Sequence, residues 1–186
     1  MQKYSDVRGM NFFNTTIASK RKKSKLFTLI IVKKNENVLL GLKKRGFGVH
    51  KWNGFGGKVE SGESIQDGAI RELQEECGLI ANSLYKHGIL WFENLETTDM
   101  IFEVHLFSVS DYKGEATESE EINDLLKMII FVIEMIPKWF NIKDIPFQNM
   151  WPSNKYWLPL VIEGKKFDAF FLYKNEHVLD FTINEY

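Results

Sequence analysis

A chain of 186 residues, 44% apolar and 26% charged, has room for one domain with a sizeable core. Its single cysteine, Cys77, excludes an internal disulfide and offers no metal-site spacing, which fits a reducing compartment. The net charge of −1 hides an asymmetry: residues 1–25 carry seven basic side chains against the one acid Asp6, so the body is net acidic and is not a general nucleic-acid surface. An acidic body takes up a polyanionic substrate only with help from cations, so a metal is suspected from the charge alone.

Residues 1–24 show neither helical nor strand period and read as a disordered basic tail, with 25–186 as one domain. The run Lys20-Arg21-Lys22-Lys23 is a solvated linker in this reading, with a nuclear or organellar address as the alternative. Strands are expected over 26–32 and 38–42, joined by the turn Asn35-Glu36-Asn37. A glycine-rich loop follows over 46–57 and holds Phe47, Trp52 and Phe55. A helix is expected from Ser64 to Cys77, stopped by Gly78. Further strands are expected over 85–93, 101–112 and 138–141, a helix over 154–162, and strands over 167–173 and 178–182. The apolar stretch 124–136 is too short to span a bilayer and fits none of these elements. It reads as an extra buried element, a partner- or membrane-touching segment, or a stretch foreign to the mature chain.

Chemistry concentrates between Gly57 and Leu79: Gly57, five residues, Glu63, seven residues, Arg71-Glu72-Leu73, one residue, Glu75-Glu76, one residue, Gly78-Leu79. At about 100° per residue, Glu72, Glu75 and Glu76 share one side of the helix. Ile65, Ala69, Leu73 and Cys77 form an apolar stripe roughly 90° away. Three like charges this close repel one another. A hard divalent cation relieves that repulsion and takes oxygen ligands from several carboxylates at once. Taken alone, the three glutamates fit a solvated acidic face better than a metal site. The full spacing reverses that weighing.

The segment resembles the Nudix box, Gly-x5-Glu-x7-Arg-Glu-apolar-x-Glu-Glu-x-Gly-apolar, at each of its nine defined places. The resemblance implies an α+β fold, an α/β/α sandwich with a curved mixed sheet and a loop–helix–loop box. It implies magnesium, with manganese as the alternative ion, held by Glu72, Glu75 and Glu76 with the Gly56 carbonyl and Glu121, while Arg71 and Glu63 hold helix and loop together. Phe27-Thr28-Leu29, the block from Leu40 to Gly48, the block from Trp52 to Val59, Asp144-Ile145-Pro146-Phe147, Met150-Trp151-Pro152 and Tyr156-Trp157 are similar to the animal MutT-type oxidised purine nucleoside triphosphatases. That subfamily implies a monomer that splits an oxidised purine nucleoside triphosphate, such as 8-oxo-dGTP or 2-hydroxy-dATP, into monophosphate and pyrophosphate. It would work on the free nucleotide pool of the cytoplasm, with a nuclear or mitochondrial pool as the alternative, and needs neither a nucleic-acid polymer nor a stable membrane contact.

A purine needs an apolar slot with a few polar groups at its edges. Phe47, Phe92, Trp151 and Trp157 are expected to supply aromatic faces, although each taken singly fits ordinary core better; Thr28 and Asn53 are expected at the rim, and Phe55, Gly56, Gly57, Lys58, Pro152, Ser153 and Asn154 complete the expected substrate contacts. The resemblance places Lys43 near the substrate, and Lys43 together with Lys58 is expected to offset phosphate charge. Glu76 is the expected base, alone or through a water, with Glu72 and Glu75 as catalytic partners. Two departures from the subfamily stand out. Ser153 and Asn154 replace a pair of aspartates that read the base, and the segment 124–136 is an insertion that follows Glu121 and Ile122. The rival readings are a Nudix enzyme for other nucleotides and a non-catalytic nucleotide-binding module on the same fold.

Overall fold

The computed structural model describes residues 23–96, 100–116 and 135–186. Most of the expected tail, Glu121 and Ile122, and residues 124–134 of the apolar insertion lie outside that set.

Alternating apolar residues build a mixed sheet from β1 (Lys23–Lys34), β2 (Asn37–Lys43), β3 (Trp52–Asn53), β5 (Tyr85–Asn94), β6 (Met100–Val109), β8 (Met135–Asn141), β9 (Phe167–Lys174) and β10 (His177–Glu185). The order is β10-β9-β5-β6-β1-β2-β3, with β8 added to β2. The pairs β1/β6 and β5/β9 are parallel and the others antiparallel.

Successive residues of β1 point to opposite faces, and each face has its own helix. Ile30 and Val32 pack with Leu39, Phe55, Phe107 and Val109 beneath α1 (Ile65–Cys77), through Ala69, Leu73 and Cys77. Leu29 and Ile31 pack with Leu40, Leu90 and Leu106 against α2 (Asn154–Ile162), through Trp157, Leu158 and Val161. The sheet is thus enclosed between helices, as the α/β/α expectation has it. Helix α1 begins where the Ser64 hydroxyl accepts the Asp67 N–H at 3.1 Å, and it ends at Gly78, whose φ of 77° suits a residue without a Cβ.

The sheet forks beside the glycine loop. Strands β1 and β2 pair only near their turn, from Val32↔Leu39 to Lys34↔Asn37. Beyond that point the loop occupies the gap: β3 pairs with β2, while Ile30 faces Phe55 and Phe27 faces Lys58. Four backbone hydrogen bonds seal the loop to β1. Ile30 N–H donates to Phe55 O at 2.7 Å, Phe55 N–H to Ile30 O at 3.0 Å, Thr28 N–H to Gly57 O at 2.8 Å and Val59 N–H to Leu26 O at 3.0 Å. A Cβ on Gly56, whose φ is 152°, would lie 2.1 Å from Thr28 O, so only glycine allows this approach.

Several boundaries differ from the sequence reading. The strand expected over 101–112 stops at Val109, and Tyr112–Lys113 (β7) pairs separately with Ile80–Ala81 (β4). Asn82 sets this break, since its N–H donates to Asp111 O at 2.9 Å and its Nδ2 to Asp111 Oδ1 at 2.8 Å. Strand β8 starts at Met135 rather than Lys138, because β2 offers an open edge as far as Lys43 and pairs Met135 and Ile136 there.

Candidate active site

The carboxylates of α1 meet the glycine loop across the fork. Glu76 is only 3% exposed: its Oε2 accepts the Gly56 N–H at 2.7 Å, and Lys43 Nζ lies 3.6 Å from its Oε1. Glu72 reaches the next loop residue. A Cβ on Gly57 would lie 2.4–2.5 Å from the Glu72 carboxylate. Two helical carboxylates therefore approach two consecutive glycines, one turn apart on α1. Position on the helix placed all three glutamates beside the apolar stripe, whereas the loop draws Glu76 inward and leaves Glu75 exposed.

Arg71 ties the assembly together. Its Nη2 and Nε donate to Glu63 at 2.8 and 3.1 Å, its Nη1 donates to Glu72 at 2.9 Å and Glu75 at 3.0 Å, and Nη2 also reaches Lys58 O at 3.2 Å. The Arg71 hydrogen bonds, with a further one from the Glu60 N–H, hold the Glu63 carboxyl down to about 2. Glu63 and Arg71 thus act as the clasp between loop and helix that the resemblance implies.

Among the described residues no three acidic, imidazole or thiol groups converge on one point. The donors still suit a hard cation: Glu72 and Glu76 offer oxygens side by side against a backbone that only glycine leaves open. Glu75 stands apart, bonded to Arg71 on the solvent side. Gly56 contributes its N–H to Glu76.

A second group of nominated residues gathers around the start of α2. Phe47, 77% exposed, stacks on Trp151 with ring centroids 4.8 Å apart, and Lys51 Nζ sits 5.0 Å from the Trp151 ring. Gly48 lies under the Trp151 ring, with φ 81°. Asn154 Nδ2 donates to Asn53 Oδ1 at 3.4 Å, and the Ser153 N–H donates to the Tyr173 hydroxyl at 3.1 Å. Ser153 sits at the N-cap of α2 without capping it. Phe92 is half-buried and stacks on Phe171, centroids 5.5 Å apart.

Among the described residues four buried side-chain polar atoms have no hydrogen-bond partner: Thr28 Oγ1, Ser153 Oγ, Trp157 Nε1 and His105 Nδ1. Three of the four belong to residues nominated for substrate contact. Ser153 and Trp157, four apart, share one side of the start of α2. A buried polar group left unpaired costs about 1–3 kcal/mol, which a ligand edge or an ordered water relieves.

Not every nominated side chain joins this group. Phe55 is fully buried in the core beneath α1 and presents no face to a ligand, because the loop pairs with β1 in the phase that turns its ring toward the helix. Thr28 lies on the face of β1 that carries Ile30 and Val32, opposite His105 in β6, whereas Phe92 and Trp157 belong to the α2 side. Lys58 is exposed and contributes its carbonyl to Arg71. Pro152 lies half-buried between Trp151 and Ser153. Sequence reasoning missed Tyr173, which anchors Ser153, and the half-buried pair Phe27 and Phe102, 5.2 Å apart, of which Phe102 is the register partner of Phe92. Alternation along β6 marks Phe102 as apolar, but only the pairing brings it to Phe92.

The NUDIX domain family model matches residues 24–161, and the chain belongs to the NUDIX family and is a Nudix hydrolase. It is 43% identical over 163 residues to the mouse oxidized purine nucleoside triphosphate hydrolase, covering 87% of this chain and 96% of that protein. The zebrafish protein of the same name is 44% identical over 156 residues, 84% of this chain and 91% of its own. In fold the chain is similar to a MutT protein from Bacillus halodurans, with a TM-score of 0.71 at 21% identity over 86% of this chain and 97% of that one. No helix among the described residues is long and apolar enough to cross a membrane.

Proposed function

We propose that this chain hydrolyses oxidised purine nucleoside triphosphates to the monophosphate and pyrophosphate, with magnesium as its ion and manganese as a substitute. The reading is carried by one observation. Glu72 and Glu76 face consecutive loop glycines at one end of the fork, and residues with unsatisfied polar atoms gather at the start of α2. The mouse and zebrafish relatives carry that activity in their names.

In this mechanism Glu72 and Glu76 would hold the ion, with Glu75, the Gly56 carbonyl and Glu121 as further donors. A bound divalent ion would supply positive charge against the triphosphate and make water a better nucleophile. The chain's own groups do the rest. Lys43, already beside Glu76, offsets phosphate charge, and Glu76 orients or deprotonates the attacking water. Phe47 and Trp151 hold the base, while Asn53, Ser153 and Asn154 read its edge. Arg71 and Glu63 keep the carboxylates in register with the loop. The enzyme acts as a monomer on free nucleotides of the cytoplasmic pool.

The test is pyrophosphate release from 8-oxo-dGTP, 2-hydroxy-dATP and canonical nucleotides by wild type and Glu76→Gln. The variant keeps an oxygen for the Gly56 N–H, so the fold is retained while turnover falls by about 10²–10⁴-fold. Wild-type rates in Glu76→Gln would remove its role, and preference for a canonical base would remove the oxidised-purine reading.

A further inference from the structure

The hairpin that carries Phe47 is built from local contacts. His50 N–H donates to Lys43 O at 2.9 Å, Val49 N–H to Gly46 O at 3.2 Å and Lys51 N–H to Gly48 O at 3.0 Å. Gly46, Gly48 and His50 have φ of 74°, 81° and 65°, so the tip turns tightly, and residues 44–47, 49 and 50 are exposed. A segment of this kind opens far more readily than the core. At its base Trp52 bridges Met150, and Phe47 and Gly48 lie against Trp151. Lys51 adds a charged contact to this apolar one. Its Nζ sits 5.0 Å from the Trp151 ring centroid and 3.0 Å from Glu176 Oε2. Glu176 lies 125 positions further on, in the short turn between β9 and β10. That turn is itself tied to the end of β5, where Asn94 Nδ2 donates to Asn175 O at 3.2 Å and Leu95 N–H to Tyr173 O at 2.9 Å. Hairpin, turn and β5 thus form a continuous rim, which the Lys51–Glu176 pair closes.

We propose that Lys51 and Glu176 are positioning residues whose ion pair straps the 43–51 hairpin across Trp151 and so sets how tightly a purine nucleotide is held. The inference rests on the base-binding reading of Phe47 and Trp151 given above. A carboxylate near a polyanionic nucleotide repels it, so by charge alone removing Glu176 would tighten binding. As half of a strap the same carboxylate supports binding, and its removal weakens it. The sign of the effect separates the two roles. The Glu176 side chain is 64% exposed and that of Lys51 23%, so the pair acts with the strength of a surface ion pair, about two- to fivefold in an equilibrium. Neither residue belongs to the carboxylate end where Glu72 and Glu76 meet the loop glycines, so the strap bears on binding and leaves the chemical step alone.

The experiment measures kcat and KM of the full chain with magnesium on 8-oxo-dGTP, for wild type, Glu176→Gln, Lys51→Gln, the double variant and Lys51→Arg. Glu176→Gln is expected to raise KM by about threefold and to leave kcat within about twofold. Lys51→Gln also loses its contact with the Trp151 ring and raises KM further. Adding Glu176→Gln to it changes nothing more, because the carboxylate acts through Lys51. Lys51→Arg keeps a cation for both partners and stays near wild type. Between about 0.05 and 1 M salt the gap between wild type and Glu176→Gln narrows, while salt effects on phosphate binding are common to both. Amide exchange at Val49 and Lys51, measured without nucleotide, quickens by a similar factor in Glu176→Gln, and the amides of β1 keep their wild-type rates. A KM for Glu176→Gln at or below the wild-type value, a further loss when it is added to Lys51→Gln, or unchanged exchange at Val49 and Lys51 overturns the strap and leaves the hydrolase reading standing. No hydrolysis of 8-oxo-dGTP or of any canonical nucleotide overturns both.

Discussion

Gly57 shows how one missing atom positions the chemistry. Its backbone lies outside the left-handed region, so alanine is tolerated conformationally, yet the added methyl would fall on the Glu72 carboxylate. Gly57→Ala should leave the thermal midpoint close to wild type while kcat drops by about a hundredfold, the scale expected when a catalytic group is moved by roughly 1 Å. Unchanged turnover would mean that Glu72 is not held where the reaction needs it. Gly56 differs: its methyl would strike the Thr28 carbonyl, so a substitution there damages the strand pairing first.

Helix α1 carries the carboxylates because its other side is buried. Leu73 is fully enclosed and sits between Glu72 and the Glu75-Glu76 pair, packed with Ile30, Val32 and Phe107. Leu73→Ala should cost about 2–5 kcal/mol of stability, read as a lower urea midpoint. Its loss of activity should follow the loss of folded protein. A cost below that range would show that α1 is not seated on this core. The clasp formed by Arg71, Glu63 and Lys58 O works at the same scale, fixing the angle at which loop and helix meet.

Across the whole molecule, His87 joins three distant parts of the chain. Its Nδ1 lies 2.6 Å from Lys165 O beyond α2, and its Nε2 lies 2.8 Å from Ser108 Oγ in β6. A carbonyl only accepts, so Nδ1 carries the proton and Nε2 takes one from the Ser108 hydroxyl. Burial, with Lys33 nearby, lowers the His87 pKa below its ordinary 6.5, and burial lowers that of His105 too. Unfolding therefore takes up protons. The stability from these neutral imidazoles is complete above about pH 6.5 and declines as the pH falls through their folded values. His87→Gln keeps one donor and one acceptor, so denaturation midpoints measured against pH should fall less steeply on the acid side than in wild type. Identical slopes would show that His87 takes up its proton as readily in the fold as in the unfolded chain.

What the sequence alone determined is local. The period of α1, its Ser64 start and Gly78 stop, and the spacing from Gly57 to Leu79 follow from residues within a few turns of one another. That spacing sufficed to mark Glu72, Glu75 and Glu76 and to identify the family. Tertiary structure decided everything set by partners far along the chain. It turned Phe55 into core, brought Tyr173 to Ser153 across 20 residues and Asn154 to Asn53 across 101, and separated inward Glu76 from outward Glu75. The physical reason is that helical period fixes which side chains share a side, whereas burial and hydrogen-bond partners depend on what folds against that side.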